Sequence, residues 1–364
     1  MPALSLARTT GLLSFLALLA LHVPTTAVAA GLSTPTKIVQ GFVNRQLQSS
    51  ADGKRLAYVM SGSVIVSDLS SGSPHTVFRR TAGPPATTSV GLSADGRRVM
   101  YTSVTSKRAT LHVVDIATRR QIKDYPGYVV SCEAICVSDD LHYATVVPYK
   151  RSAAAPRPGI LDLKTGRFTA VTPPVAGYKA SGAWALSGNG DWALTVDISL
   201  NRGDRWYLLS RKTGRARFLG LGDQAAPALS ADGSIAALPI RTTDSNLNST
   251  IYQRLSGARS VLPGFEDLTL SADGNTSAVA CAGGLYLFHT DSGSYATLLE
   301  GLPSKNGFNY VGRAVLSPDG KFLFYVLDIP SETYGSVLSE TLYRVATTEA
   351  TPLPEPPPAC LGLG

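Results

Sequence analysis

Short apolar runs separated by polar turns follow one another from Lys37 to near the C-terminus, and none shows a helical stripe. The clearest turn closes Leu92-Ser93-Ala94-Asp95-Gly96. It recurs as Leu229-Ser230-Ala231-Asp232-Gly233, as Leu270-Ser271-Ala272-Asp273-Gly274 and, with one change, as Leu316-Ser317-Pro318-Asp319-Gly320. Ser50-Ala51-Asp52-Gly53, Ser138-Asp139-Asp140 and Ser187-Gly188-Asn189-Gly190 complete a set of seven. Each copy opens a unit. A strand rich in β-branched and aromatic residues follows the turn, as in Arg98–Thr102 or Phe322–Leu327. A loop of variable length, an apolar strand, a polar turn such as Lys164-Thr165-Gly166 and a short last strand complete it. Asp-Gly suits the tight turn, because glycine accepts positive φ and the aspartate side chain bonds the nearby backbone.

The turn serines stand 41 to 49 residues apart, the length of one four-stranded propeller blade. Four antiparallel strands cannot bury both faces alone, whereas a ring of such sheets buries both and hides the long edges. The expected fold is therefore all-β, a seven-bladed β-propeller of four-stranded antiparallel blades over residues 30–353. Lys37–Gln40 is expected to complete the last blade, with Ala350–Leu353 as the alternative. Residues 354–364, with three consecutive prolines, read as an extended tail.

The Leu-Ser-Pro-Asp-Gly-Lys pattern of residues 316–321 resembles the TolB-like β-propeller repeats, and the six related units look like the same family. The resemblance spans roughly residues 40–350. It implies a propeller scaffold of the kind found in periplasmic translocation proteins, in sugar or protein binders and in the non-catalytic propellers of some peptidases. The N-terminal α/β domain that TolB itself carries is not expected here, because unit one follows almost directly on the first 29 residues.

Residues 1–29 read as a signal peptide. Arg8 precedes an apolar run from Gly11 to Val23, and Ala27-Val28-Ala29 fits a cleavage site before Ala30. The run is too short to span a bilayer, so an exported product, secreted or periplasmic, is expected. The formal charge is +7 with 16% charged residues. No Lys/Arg block accompanies it, so nucleic acid is not an expected partner. Cys132, Cys136, Cys281 and Cys360 are candidates for two disulfides in an oxidising compartment, with 132–136 and 281–360 the favoured pairing. No second close ligand pair supports a zinc site at Cys132 and Cys136.

In a propeller the turns between first and second strands share one face with those between third and fourth. The connections between second and third strands lie on the opposite face, where scaffolds display binding residues. Five of those loops carry the candidate site. Unit two contributes Lys107 and Arg108; unit three Tyr149, Lys150, Arg151 and Arg157; unit four Asp197, Arg202, Asp204 and Arg205. Unit five adds Arg241 and Asp244, and unit seven Asp328, Glu332 and Tyr334. This mixed rim suits an acidic protein segment or a polar glycan, so the expected role is non-catalytic binding of a protein or envelope polymer. The alternatives are a propeller lyase, lactonase or glycan hydrolase with its site at the channel mouth, and an envelope assembly factor. No His-x-His, His-Glu-x-x-His, Gly-x-Ser-x-Gly or phosphate-loop motif is present, and no cofactor, metal or catalytic residue is expected. Trp184, Trp192 and Trp206 all fall in unit four, as packing groups or, for Trp184, a platform for a sugar.

Overall fold

The computed structural model describes residues 34–355 apart from 42, 72, 82–86, 106, 131–135, 150–157, 172–178, 199–203, 223–226, 242–246, 264–266, 282–283, 303, 306–307, 310 and 331–336. By their contacts Leu32–Gly364 form one unit, and it is the unit described below. The described strands pair antiparallel throughout, and the only described helix is a single turn at Thr347–Glu349.

Unit one shows the plan: Val43–Ser49, Arg55–Met60, Ser63–Asp68 and His75–Thr81 pair in sequence order. Unit two repeats it with Thr87–Leu92, Arg98–Val104, Ala109–Asp115 and Gln121–Pro126. Between them lies an apolar layer of Val59, Val64, Val66, Val90, Val99 and Val114, all buried. Similar layers separate the later units, and one joins Leu56 and Tyr58 of unit one to Phe324 and Val326 of unit seven. The ring is therefore closed by packing as well as by pairing. Thr36–Gln40 runs beside Val337–Ala346 as the outer strand of unit seven. Thr351–Leu353, the other candidate for that place, pairs instead with Ser294–Glu300 and becomes a fifth strand of unit six.

Each Ser-x-Asp-Gly turn is held by its own side chains. In unit five Ser230 Oγ donates to Asp232 Oδ1 at 2.9 Å and accepts from Ile235 N at 3.0 Å, while Ser234 N donates to Asp232 Oδ1 at 2.8 Å. All seven turn serines are buried. The turns also bond one another around the ring. Ala51 N donates to Ala94 O, Ala94 N to Asp139 O, Asp139 N to Gly188 O, Asn189 N to Ala231 O, Ala231 N to Ala272 O and Ala272 N to Pro318 O. Pro318 has no N–H, so Asp319 N makes the last bond, to Ala51 O at 3.0 Å. In unit three the glycine position is taken by Leu141 at φ 53°, buried against unit two.

Counted as hydrogen-bonded sheets of four or more described strands, the propeller has six blades and not the seven expected. Units four and five share one eight-stranded sheet. The join is the pairing of Gly222, at the end of Ala216–Gly222, with Ile240 in Ile235–Arg241. Its cause is the short first strand of unit five. Ala228–Leu229 covers only Ala236 and Ala237, which leaves the edge at Ile240 open to the preceding unit. The turn interval counts repeats, and it carries no information on which neighbouring repeats exchange a ladder bond.

No Sγ–Sγ pair joins two described cysteines, so neither expected pairing, 132–136 or 281–360, is found among them, although Cys136 is itself disulfide-bonded. Cys136 is buried in the layer between units two and three, Cys281 ends the strand Thr276–Cys281, and Cys132 and Cys360 lie outside the described residues. Spacing fixed neither partner, because disulfide formation needs Cβ atoms about 4 Å apart.

Candidate functional site

The turn face is built from arginines laid over aromatic rings. Arg254 stands 4.5 Å above the Trp192 ring and donates from Nε to Gly233 O at 2.9 Å. Arg211 repeats this over Tyr143 at 4.0 Å, with Nε on Gly190 O at 2.7 Å. These contacts tie unit three to four and four to five, so the cations there are committed to cohesion.

The opposite, loop face differs. Asp197, Asp204 and Asp328 lie at its strand ends and are 1%, 9% and 9% exposed. Carboxylates are seldom buried to that degree without a compensating role. Asp197 faces Arg205 across Trp192–Ile198 and Asp204–Ser210. Its Oδ2 is buried and accepts no hydrogen bond. Burial pushes the Asp197 carboxyl above its ordinary value, and the Arg205 charge offsets only part of that rise. Asp328 sits opposite Glu340, which places two acidic residues side by side in one ladder.

Of the other residues expected to form the rim, Lys107 and Arg108 are exposed beside Thr105, whose Oγ1 accepts from both backbone N–H groups. Tyr149 is half-buried and donates from its hydroxyl to Thr105 O at 3.2 Å, bringing units two and three together at this face. Arg241 ends its strand. Lys150, Arg151, Arg157, Arg202, Asp244, Glu332 and Tyr334 lie outside the described residues. The tryptophans serve packing. Trp206 is fully buried with Trp184 edge-on to it at 5.9 Å, and Trp192 lies under Arg254.

One constellation was not expected. Ser103, on the second strand of unit two, lies 2.7 Å from His112 Nε2 on the third. His112 Nδ1 lies 2.7 Å from Asp124 Oδ1 on the fourth. A carboxylate only accepts, so in the neutral imidazole the proton sits on Nδ1 and Nε2 is left to accept from the serine hydroxyl. Gln121 Nε2 donates to the other Asp124 oxygen. The signal in the sequence was positional. His112 pairs directly with both Tyr101 and Asp124, so the three polar residues come together only once register is known.

A cavity of about 320 Å³ opens between units two and three on the turn side, lined in part by Arg98, Ile122, Lys123, Tyr125, Asp140 and His142. Burial, with Asp162 nearby, pushes the Tyr125 hydroxyl up to about 12. The binding residues had been expected on the opposite face. Among the described residues no group of three His, Cys, Asp or Glu is placed to hold a metal ion, and no helix is long and apolar enough to cross a membrane.

No protein-family model and no curated protein matches the chain. Among solved structures it is similar to the β-propeller domain of Cps50 (Swd1) from Myceliophteria thermophila, with TM-score 0.57 and 14% identity over 85% of this chain and 99% of that one. It is also similar to hydrazine synthase from Kuenenia stuttgartiensis, with TM-score 0.52 and 15% identity over 84% of this chain and 95% of that one. The fold is a β-propeller. At such identities the likeness extends to the fold alone, and neither structure carries the TolB-like resemblance further.

Proposed function

We propose that this chain is an exported propeller that binds a protein or an envelope polymer through its loop face. Residues 1–29 serve as the signal peptide, residues 30–353 as the propeller and residues 354–364 as a tail. The observation that carries the reading is Asp197, a buried carboxylate with an oxygen that accepts nothing, at the loop end of unit four. An unmade hydrogen bond of that kind costs about 1–3 kcal/mol. A partner that brings a hydroxyl or cationic donor to this end recovers it, and the Arg205 cation beside it can meet an acidic group of the same partner. The repeat motif at 316–321 is what supports a TolB-like origin.

The test is capture by immobilised mature protein from an envelope extract, compared between the wild type and two variants. The double substitution Arg151→Glu/Arg205→Glu changes two residues of the expected rim, and Arg167→Glu changes an exposed site on the turn face. Capture is expected to fall at least ~10-fold for the first and to hold for the second, since removing one partner of a close interfacial charge pair costs at least 1.4 kcal/mol. Equal capture by both variants overturns the reading.

A further inference from the structure

We infer that Ser103, His112 and Asp124 form a nucleophilic site for acyl transfer from small carboxylic esters, an activity separate from binding at the rim. The geometry has the three relations such chemistry needs. The serine hydroxyl bonds the base at 2.7 Å, the base bonds its orienting carboxylate at 2.7 Å, and that carboxylate is itself anchored by Gln121. The carboxylate fixes the tautomer in which Nε2 receives the serine proton. The site is open to solvent, since the His112 side chain is 14% exposed and that of Asp124 is 37% exposed. The three sit on adjacent strands of one sheet, so their spacing is set by the ladder and not by a loop.

The surroundings are not those of a purely structural network. The Tyr101 ring lies tilted by 31° against His112 at 4.9 Å between centroids, and its buried hydroxyl has no hydrogen-bond partner. Arg80, exposed on the last strand of unit one, stands 5.8 Å from the Tyr101 ring. A phenol with an unused proton and an exposed guanidinium thus flank the base, the kinds of group that stabilise a developing oxyanion. In the acylation step the Ser103 oxygen bonds to the ester carbonyl carbon and its proton passes to His112 Nε2. The bond to the alkoxide then breaks, and the alcohol leaves with that proton. A water molecule attacks the acyl-serine with Nε2 as base, releasing the carboxylic acid and restoring the hydroxyl.

The experiment treats the full chain with a fluorophosphonate probe and, in parallel, with p-nitrophenyl acetate. The expected result is one label, mapped by peptide mass spectrometry to Ser103, and saturable release of p-nitrophenolate. Ser103→Ala is expected to lose both. Asp124→Asn is expected to slow labelling by at least ~100-fold, since it removes the acceptor that sets the tautomer. His112→Ala is expected to lose labelling and to regain part of it with added imidazole, which sheet cohesion alone does not produce. An unlabelled wild-type chain, a label confined to other residues, labelling of Asp124→Asn at the wild-type rate, or no imidazole rescue overturns the inference. Retention of rim binding by Ser103→Ala keeps this outcome distinct from that of the capture experiment.

Discussion

Three motif aspartates of the turn face and the buried Asp197 of the loop face are treated in opposite ways. On the turn face burial acts to raise Asp52, Asp95 and Asp232. Their hydrogen bonds from the turn serine and from backbone N–H groups outweigh it and hold all three below the ordinary range. On the loop face burial raises Asp197, and no donor reaches its buried Oδ2. The difference lies in where the partners come from. A turn aspartate finds its donors within five residues of chain, so its satisfaction is written locally and repeats with the motif. Asp197 depends on groups from other strands and loops. Local completeness marks structure, and local incompleteness marks the end at which something else is required.

The comparison breaks most sharply at the glycines of the turn face. Gly233 has φ +72°, and a β-carbon there would stand 2.4 Å from Trp192 Cδ1, a ring pinned beneath Arg254. Gly233→Ala is expected to cost about 3 kcal/mol or more, combining about 1–2 for the left-handed backbone with the clash. Gly214 has φ +66° with nothing within 4 Å of the same position. Gly214→Ala should therefore cost only the backbone share, about 1–2 kcal/mol. Urea midpoints for the pair check this, and equal shifts would remove the packing argument. Ser230→Ala comes next, at about 1–3 kcal/mol, because it leaves Ile235 N without its acceptor inside a buried turn.

The turn motif was legible because its chemistry is contained in a few consecutive residues. Ser-x-Asp-Gly names its own donor, acceptor and positive-φ position, and all seven copies adopt one geometry. Leu141 shows the limit, since a β-carbon residue takes the glycine place where burial against unit two compensates. The sheet count was not legible, because the fusion of units four and five turns on the length of Ala228–Leu229 and one ladder contact. Ser103, His112 and Asp124 were invisible for a similar reason. Histidine spacing along the chain says nothing about which side chains share a face of a sheet until its register is fixed. Asp197 and Asp204 stood out in sequence as polar groups near a long loop, but their burial follows from packing that a loop reading does not contain.

The smallest effect sharpens the same contrast through its sign. The Asp197 carboxyl is raised in the folded state, so the fold holds its proton more tightly than the unfolded chain does. Its penalty is absent below about pH 3.8, grows as pH rises through the folded value and is complete above it. Asp197→Asn is expected to stabilise the chain at pH 7 by about 1 kcal/mol, at the low end of the cost of a buried unmade bond, and to have no effect near pH 3. Asp232→Asn on the turn face should do the reverse. A lowered carboxyl contributes stability above its unfolded value, and that contribution is lost as pH falls from about 3.8 through the folded value. Asp232→Asn should therefore destabilise at pH 7 and converge on the wild type in acid. Denaturation of both variants across pH 3–7 measures the two slopes. If the Asp197 slope matches that of Asp232 in sign, the loop-face carboxylate is as well satisfied as the turn carboxylates, and the distinction between the two ends fails.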